Sequence, residues 1–564
     1  MGTKNENLCK ILDFYYALDN NDKRTLLNEM EVLHLVEQHG KLNLDNVVIN
    51  CKLNIKNILQ YAAKQNIVID NIRITNCTLL KGISFYDTEI LGNLYFWENI
   101  CESSEFSKCK VNGYSYFSNT IFRGITSFNQ AFFVRDTFFW GVEFMQEAYF
   151  RECVFSGQVD LWCAEFKDTV DFNYSRFNKD ADFSNCFFRN KVLFQNTVWG
   201  ENKQEASKIV LDNINCKGLV SFNGANFRSV LSISYALFSS RIEFEKCSFG
   251  DTITSEYSIF TSVSFSYSHF YSPIYLNNIR GKKIELLFTN IWSDSLMSVS
   301  CYTNKQKNSL LDYISFDKSI FSKHSIVIIE GLFVKKDVFK CNYCNILGMF
   351  SIYNSDIDSF EMKSSSIIGS LILKDTNIKD IDLTNSTSTG KMITNSNVCF
   401  RPVNRETAYL LRHEKEKEGD IVMALKYREI EMKIYNKEFE MYSFKKKLSN
   451  IDEITIMKLN YWSNDYGQSW MKGILFTFFT SFIFTFALML LTQDLVFYGG
   501  MKDLFLFNVH FWIEVLNFLW LPSTFLDDFQ SKGLLYTLIC LIGKIMVAFG
   551  IFQTAASFRK YSKA

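Results

Sequence analysis

The sequence predicts a mainly β fold: a β-helix with four short sides per coil, flanked by helices and followed by two C-terminal transmembrane helices. Three observations predict it. Phe occurs 55 times and Pro three times in 564 residues. Large apolar residues recur at steps of five and six, and the last hundred residues contain two long apolar stretches. Excess Phe points to a repeated structural slot. Scarce Pro points to backbone whose N–H groups are all needed in a ladder or helix.

The repeat is clearest from Phe117. Phe117, Phe122, Phe128, Phe133, Phe139, Phe144, Phe150, Phe155, Leu161, Phe166, Phe172, Phe177, Phe183, Phe188, Phe194 and Trp199 alternate steps of five and six, a period of 11. Two residues before alternate members runs a small-residue ladder at the same period: Thr120, Ala131, Val142, Cys153, Ala164, Ser175, Cys186 and Thr197. Residues two apart on a strand share a face, so each unit turns one ring and one small side chain inward. A five/six spacing drifts around an α-helix, which excludes that alternative. Four short sides make a coil of 22 residues, and stacked coils place ring on ring.

FRECVFSGQVDLWCAEFKDTVDF, in phase with these ladders, resembles the pentapeptide-repeat family in its Phe-rich variant. The resemblance implies a right-handed quadrilateral β-helix with the large and small residues both inside. It runs from about Ile72 to Phe270, interrupted by a charged insertion, Glu201–Lys208. It resumes with Phe222, Phe227, Ile233, Phe238, Phe244 and Phe249, and with the small partners Ala225, Ala236, Cys247 and Ser258. From 271 to 400 Ile and Leu replace Phe, as in Ser355–Ile357, Thr376–Ile378 and Ser396–Val398. VVINCKL and IRITNCTLL read as a first coil interrupted by a helical insertion, IKNILQYAAKQN. Residues 45–400 then hold roughly 16 coils, a rod on the order of 75 Å long at the strand spacing.

A solenoid needs covered ends. Residues 1–44 are expected as an N-terminal helical cap, with LCKILDFYYAL and TLLNEMEVLHLVEQH at three-four apolar spacing. Residues 401–450 are expected as a helical hairpin over the last coil. Its first helix ends near Gly419, and its second carries Met423, Tyr427, Ile430, Ile434 and Met441 on one stripe. Residues 451–564 form the membrane module, with spans near 473–492 and 533–558. The first span has 20 residues and no charge, the length of a bilayer core. Lys445, Lys446, Lys447, Lys458 and Lys472 precede it, and Arg559, Lys560 and Lys563 follow the second. The intervening loop holds Asp494, Asp503, Glu514, Asp527 and Asp528 against Lys502 and Lys532. The positive-inside rule places both termini, and the β-helix, in the cytoplasm.

LNYWSNDYGQSW and IFQTAASFRKYSK resemble the tail of membrane-associated bacterial pentapeptide-repeat proteins, which implies the inner membrane as location. The layout of span, amphipathic LFLFNVHFWIEVLNFLWLP and span is similar to the pore module of simple cation channels, without a TVGYG-like filter. Lys544 lies mid-span and Glu514 sits alone among aromatic residues, so the two are expected as a membrane-embedded charge pair.

Other chemistry is not predicted. The N-terminus, MGTKNENLCK, lacks the order of a signal peptide, and Glu6 breaks the myristoylation pattern. Fifteen scattered cysteines then fit a reducing compartment. The six histidines make no paired ligand spacing. Cys341 and Cys344 form a lone CxxC in which Cys344 falls on the small inward slot. No GxSxG, Walker A or GxGxxG is present. No catalytic residue, metal or cofactor is expected. Net charge is zero, and residues 117–199 contain 10 acidic against 8 basic residues, too balanced for a DNA mimic acting on gyrase. The expectation is a non-enzymatic membrane-tethered scaffold or protein-binding module. Its partner would be a protein, with self-association compatible and no nucleic acid. The alternative is a channel-like or membrane-perturbing effector with the β-helix as sensor or assembly element.

Overall fold

The computed structural model describes residues 24–562 apart from 201–206, 281–283, 290, 302, 305–306, 309–310, 395–399, 441–450, 493–508 and 521–532. The expectations for LCKILDFYYAL, most of the charged insertion, Ser396–Val398 and Met441 lie outside the described residues, as do those for the loop charges other than Glu514. The chain divides into two compact units, 1–378 with 389–393, and 379–388 with 394–564.

The strands form a parallel β-solenoid with four sheets, the two longest of 16 strands each, one strand per coil. The register is the one the ladders demand. Phe122 pairs with Phe144, Phe144 with Phe166, and Phe166 with Phe188. All sixteen large positions from Phe117 to Trp199 are buried, as are the eight small ones from Thr120 to Thr197. One column of rings runs unbroken from Phe85 through Phe106, Phe128, Phe150, Phe172 and Phe194 to Phe222 and beyond, with centroids 4.6–4.9 Å apart. The charged insertion lies between Phe194 and Phe222 in the sequence, and those rings still stack at 4.7 Å, so the column of rings continues from one side of it to the other.

The small slot has a second task. Its hydroxyl or thiol donates to the carbonyl of a large-slot residue one coil earlier: Cys153 Sγ to Phe128 O at 2.9 Å, Ser319 Oγ to Phe288 O at 2.7 Å, Cys344 Sγ to Phe316 O at 3.0 Å. The residue before the slot has positive φ, as at Asn119, Gln130, Glu152, Cys163 and Tyr174. That recurrence marks the tight corner of each half-coil. Only Asn and Gly adopt it readily.

Beyond residue 271 the strands lengthen, as in Ile274–Ile279, Leu296–Cys301 and Ile326–Glu330. β-Branched residues favour extended backbone and fill the interior where Phe is absent. Ser355, Ile357, Thr376 and Ile378 are buried as expected. An antiparallel pair, Thr303–Asn304 with Lys307–Asn308, stands apart from the four sheets.

The N-terminal region departs from the all-helical expectation. Thr25–Leu27 is a strand paired with Val47–Ile49, and helix α1 occupies only Glu29–His39. The boundary is set by Asn28, whose side chain accepts from Glu31 N–H while Glu31 returns a bond to Asn28 N–H. Leu42–Asp45 pairs with Ile72–Thr75, so strands of the solenoid begin before residue 45. The helical insertion is α2, Ile55–Lys64.

The second unit contains α3 (Arg405–Glu418), α4 (Ile421–Glu440), α5 (Ile451–Asn464), α6 (Trp470–Thr492), α7 (Val509–Leu519) and α8 (Leu534–Ser562). Gly419, at φ 79°, ends α3 in the left-handed conformation, and α4 packs back on α3. Met423 and Tyr427 are buried on the expected stripe. Side chains of the pair accept from the backbone that precedes them: Leu383 N–H donates to Thr407 Oγ1 at 2.8 Å and Phe400 N–H to Tyr427 Oη at 3.2 Å.

Candidate interaction face and membrane module

Among the described residues no group of His, Cys, Asp and Glu is placed to hold a metal ion. The described cysteines form no disulfide, and most are buried. Cys341 and Cys344 occupy the large and small inward slots of one turn. Burial pushes the Cys341 thiol well up, and it raises Cys109, Cys247 and Cys301 to about 12. A thiolate is the reactive form, so these are core side chains rather than nucleophiles. Cys163, at a corner, is exposed.

The outer surface of the solenoid is uneven. One sheet carries an aromatic row that the inward pattern does not require. Tyr95 stacks on Tyr116 at 5.3 Å and Tyr116 on Phe138 at 5.1 Å. Trp97 meets Tyr95 at 5.5 Å edge-on, and Trp140 meets Phe138 at 5.2 Å. Tyr114, Trp140 and Trp162 are 41%, 44% and 50% exposed. The Arg73 guanidinium lies over Tyr95 and Trp97, 5.1 and 5.4 Å from their centres. At the other end Asp160 accepts from Trp162 N–H at 2.9 Å, and burial raises its pKa. Burial, and then the neighbouring Tyr95, Tyr114 and Asp136, raise that of Tyr116. The sequence reading missed this row. Its signal is a residue directly before an inward Phe, at steps of about 22: Tyr95, Tyr116 and Phe138.

In the second unit, α6 and α8 are each long and apolar enough to cross a membrane, over Trp470–Leu491 and Leu534–Phe558. Polar side chains join the helices. Gln553 Nε2 donates to Asn460 Oδ1 at 2.9 Å, and Asn464 Nδ2 donates to the Gln553 side chain. Ser481 Oγ donates to Val515 O at 2.6 Å, tying α6 to α7. An apolar groove of about 910 Å³ runs along α6, lined by Phe476, Phe479, Phe482 and Met546, with Trp462 and Lys472 among its polar or amphipathic members.

The two residues expected as a charge pair are not joined to each other. Lys544 Nζ donates to Phe518 O at 3.0 Å and to Trp520 O at 2.6 Å, with the Phe518 ring 4.7 Å away. Its partners are main-chain carbonyls at the end of α7 instead of Glu514. The reason is the dipole of that helix: its last carbonyls have no intrahelical donors and carry partial negative charge. Glu514 lies mid-helix and is only partly buried.

Residues 106–154 and 139–186 match the family described as pentapeptide repeats (9 copies). No curated protein and no solved structure matches the chain at a significant level. The matched residues are the segment in which large slot, small slot and four-sheet register coincide coil after coil, and this segment of the solenoid is built of pentapeptide repeats.

Proposed function

We propose that the protein is a non-enzymatic scaffold or protein-binding module tethered to a membrane by α6 and α8. One observation carries the reading: the solenoid interior is filled. Rings stack at 4.6–4.9 Å, and the large and small slots are both buried, which leaves the outer faces as the place of action. Flat, regular faces with exposed Trp and Tyr suit a protein partner, because those side chains dominate binding energy at interfaces. The solenoid and both termini lie in the cytoplasm on this reading, and the membrane is the bacterial inner membrane. Affinity purification of the full chain from membranes in mild detergent tests it. A stoichiometric protein partner lost in a Trp140→Ala variant supports the reading, and recovery of the chain with no partner of any kind overturns it. A cysteine placed at Asp503 should react with an impermeant reagent in intact cells while one at Ser562 does not. The reverse labelling overturns the orientation.

The channel-like alternative is favoured by α7, a short apolar helix between the two long ones whose carbonyl end faces a cation, Lys544 Nζ. Ionic conductance of the purified protein in a planar bilayer distinguishes it from the scaffold.

A further inference from the structure

The outward aromatic row is self-complementary in one direction only. Pairing in its sheet stacks Arg73, Tyr95, Tyr116, Phe138, Asp160 and Asp182 in line. Five steps at about 4.8 Å make a row of roughly 24 Å. We propose that this face docks a second copy of the chain, with the two rows antiparallel about a two-fold axis that runs along the strands at Tyr116. The inference rests on the reading that the solenoid acts through its outer faces.

Inverting the row about Tyr116 sets Arg73 against Asp160 of the partner subunit and Tyr95 against Phe138 of the partner subunit. The flanking rows agree. Trp97 meets Trp140 of the partner subunit, and Asn93 meets Asp136 of the partner subunit. No like charges face each other in these rows. The parallel arrangement places Arg73 on Arg73 and Asp160 on Asp160, and it is excluded by repulsion at both ends. Arg73 is exposed and its contacts are the two rings beneath it, so its charge is available to the second copy. Isologous faces of this kind close as dimers rather than filaments. A patch of this length falls at the small end of specific interfaces, which makes the dimer transient and calls for a trapping assay.

The test is photo-cross-linking of the full chain in detergent micelles, with p-benzoylphenylalanine in place of Tyr116 or, on a different sheet, in place of Lys110. The expected result is a light-dependent product of twice the chain mass from position 116 alone. Arg73→Glu should reduce its yield at least fivefold, and Arg73→Glu with Asp160→Arg should restore it. Trp140→Ala, exposed on the same face, should reduce it without that rescue. Absence of product from folded protein, equal yield from position 110, or failure of the charge swap with the fold intact overturns the proposal. A cross-link to a different protein in membranes also overturns it, while leaving the binding-module reading standing.

Discussion

Replacing Lys544 by Met removes one charge and two hydrogen bonds, and the two losses act on different events. The ammonium donates to Phe518 O at 3.0 Å and Trp520 O at 2.6 Å. Bonds to a charged group contribute about 1.5–3 kcal/mol each, so α7 loses about 3–6 kcal/mol of docking before relaxation. A charge at mid-span opposes insertion by about 2.5–3.5 kcal/mol, a cost that Met removes. Lys544→Met should therefore insert α8 more readily and hold α7 less firmly. Insertion is read by glycosylation mapping of the second span. Docking is read by hydrogen exchange at Val515 and Phe518 in micelles. Glu514→Gln should change exchange at those amides little, and the two substitutions should be additive, because the side chains share no bond. Coupling above about 0.5 kcal/mol between them, or unchanged protection of α7 in Lys544→Met, would refute the carbonyl cradle and restore the charge pair.

Phe166 stacks between Phe144 at 4.9 Å and Phe188 at 5.1 Å, so Phe166→Ala should cost about 3–5 kcal/mol in chemical denaturation. Lys167→Ala next to it, which breaks a 3.0 Å ion pair with Glu143, should cost less than about 1 kcal/mol. Asp171 is buried, and burial raises its pKa against the opposing bond from Asn173 N–H and the charge of Arg151. A carboxyl whose folded pKa is raised contributes stability below its unfolded pKa and loses it as pH rises through the folded value. Asp171→Asn should therefore raise the melting temperature at pH 7 and have no benefit at pH 3. Alkylation of the native protein at pH 8 with mass-spectrometric mapping should modify Cys163 rapidly and Cys153, Cys186 and Cys247 only after unfolding. Equal rates would show that the small slots open freely.

The solenoid was legible because its interior repeats a demand. Each coil must offer the next a ring of the same size in the same place, so Phe128, Phe150 and Phe172 could be lined up without coordinates. The corners were less legible. Asn119, Asn185 and Asn196 suit positive φ, but Glu152, Cys163 and Tyr174 occupy the same position and hide the pattern. The outward aromatic row was missed because the fold does not require it. Nothing about stacking coils dictates Tyr116 or Trp140, and the one signal, an aromatic residue directly before an inward Phe at steps of about 22, extends over only three coils. Lys544 failed for a different reason. Its charge and isolation were visible, but its partners are backbone carbonyls, which have no letter in a sequence. Glu514 was the nearest candidate that does. At the N-terminus, Thr25–Leu27 matched a helical spacing, and the cap at Asn28 cut it off.

The end of the strands shows how a repeat is stopped. In the interior, the N–H of a large-slot residue donates to the next coil, as Phe316 N–H does to Lys340 O at 2.8 Å and Cys341 N–H to Glu361 O at 2.7 Å. Two residues on, Lys318 N–H donates to Asn342 O and Tyr343 N–H to Lys363 O. Leu383 and Asn385 stand in these same positions. Their acceptors are side chains from the start of α3: Thr407 Oγ1 for Leu383 at 2.8 Å and Glu406 Oε1 for Asn385 at 2.9 Å. Thr407 and Glu406 thus stand where the carbonyls of a following coil would be. An exposed ladder edge would invite another strand, and these two acceptors close it. Thr407 is fully buried, so Thr407→Val, equal in shape, leaves Leu383 N–H without a partner and should cost about 1–3 kcal/mol. Thr407→Ser keeps the oxygen and should cost less. Exchange of the Leu383 amide should accelerate in the Val variant while that of Phe166 stays unchanged. Equal protection of Leu383 in the Val and Ser variants would mean that packing of α3, not its hydroxyl, closes the ladder.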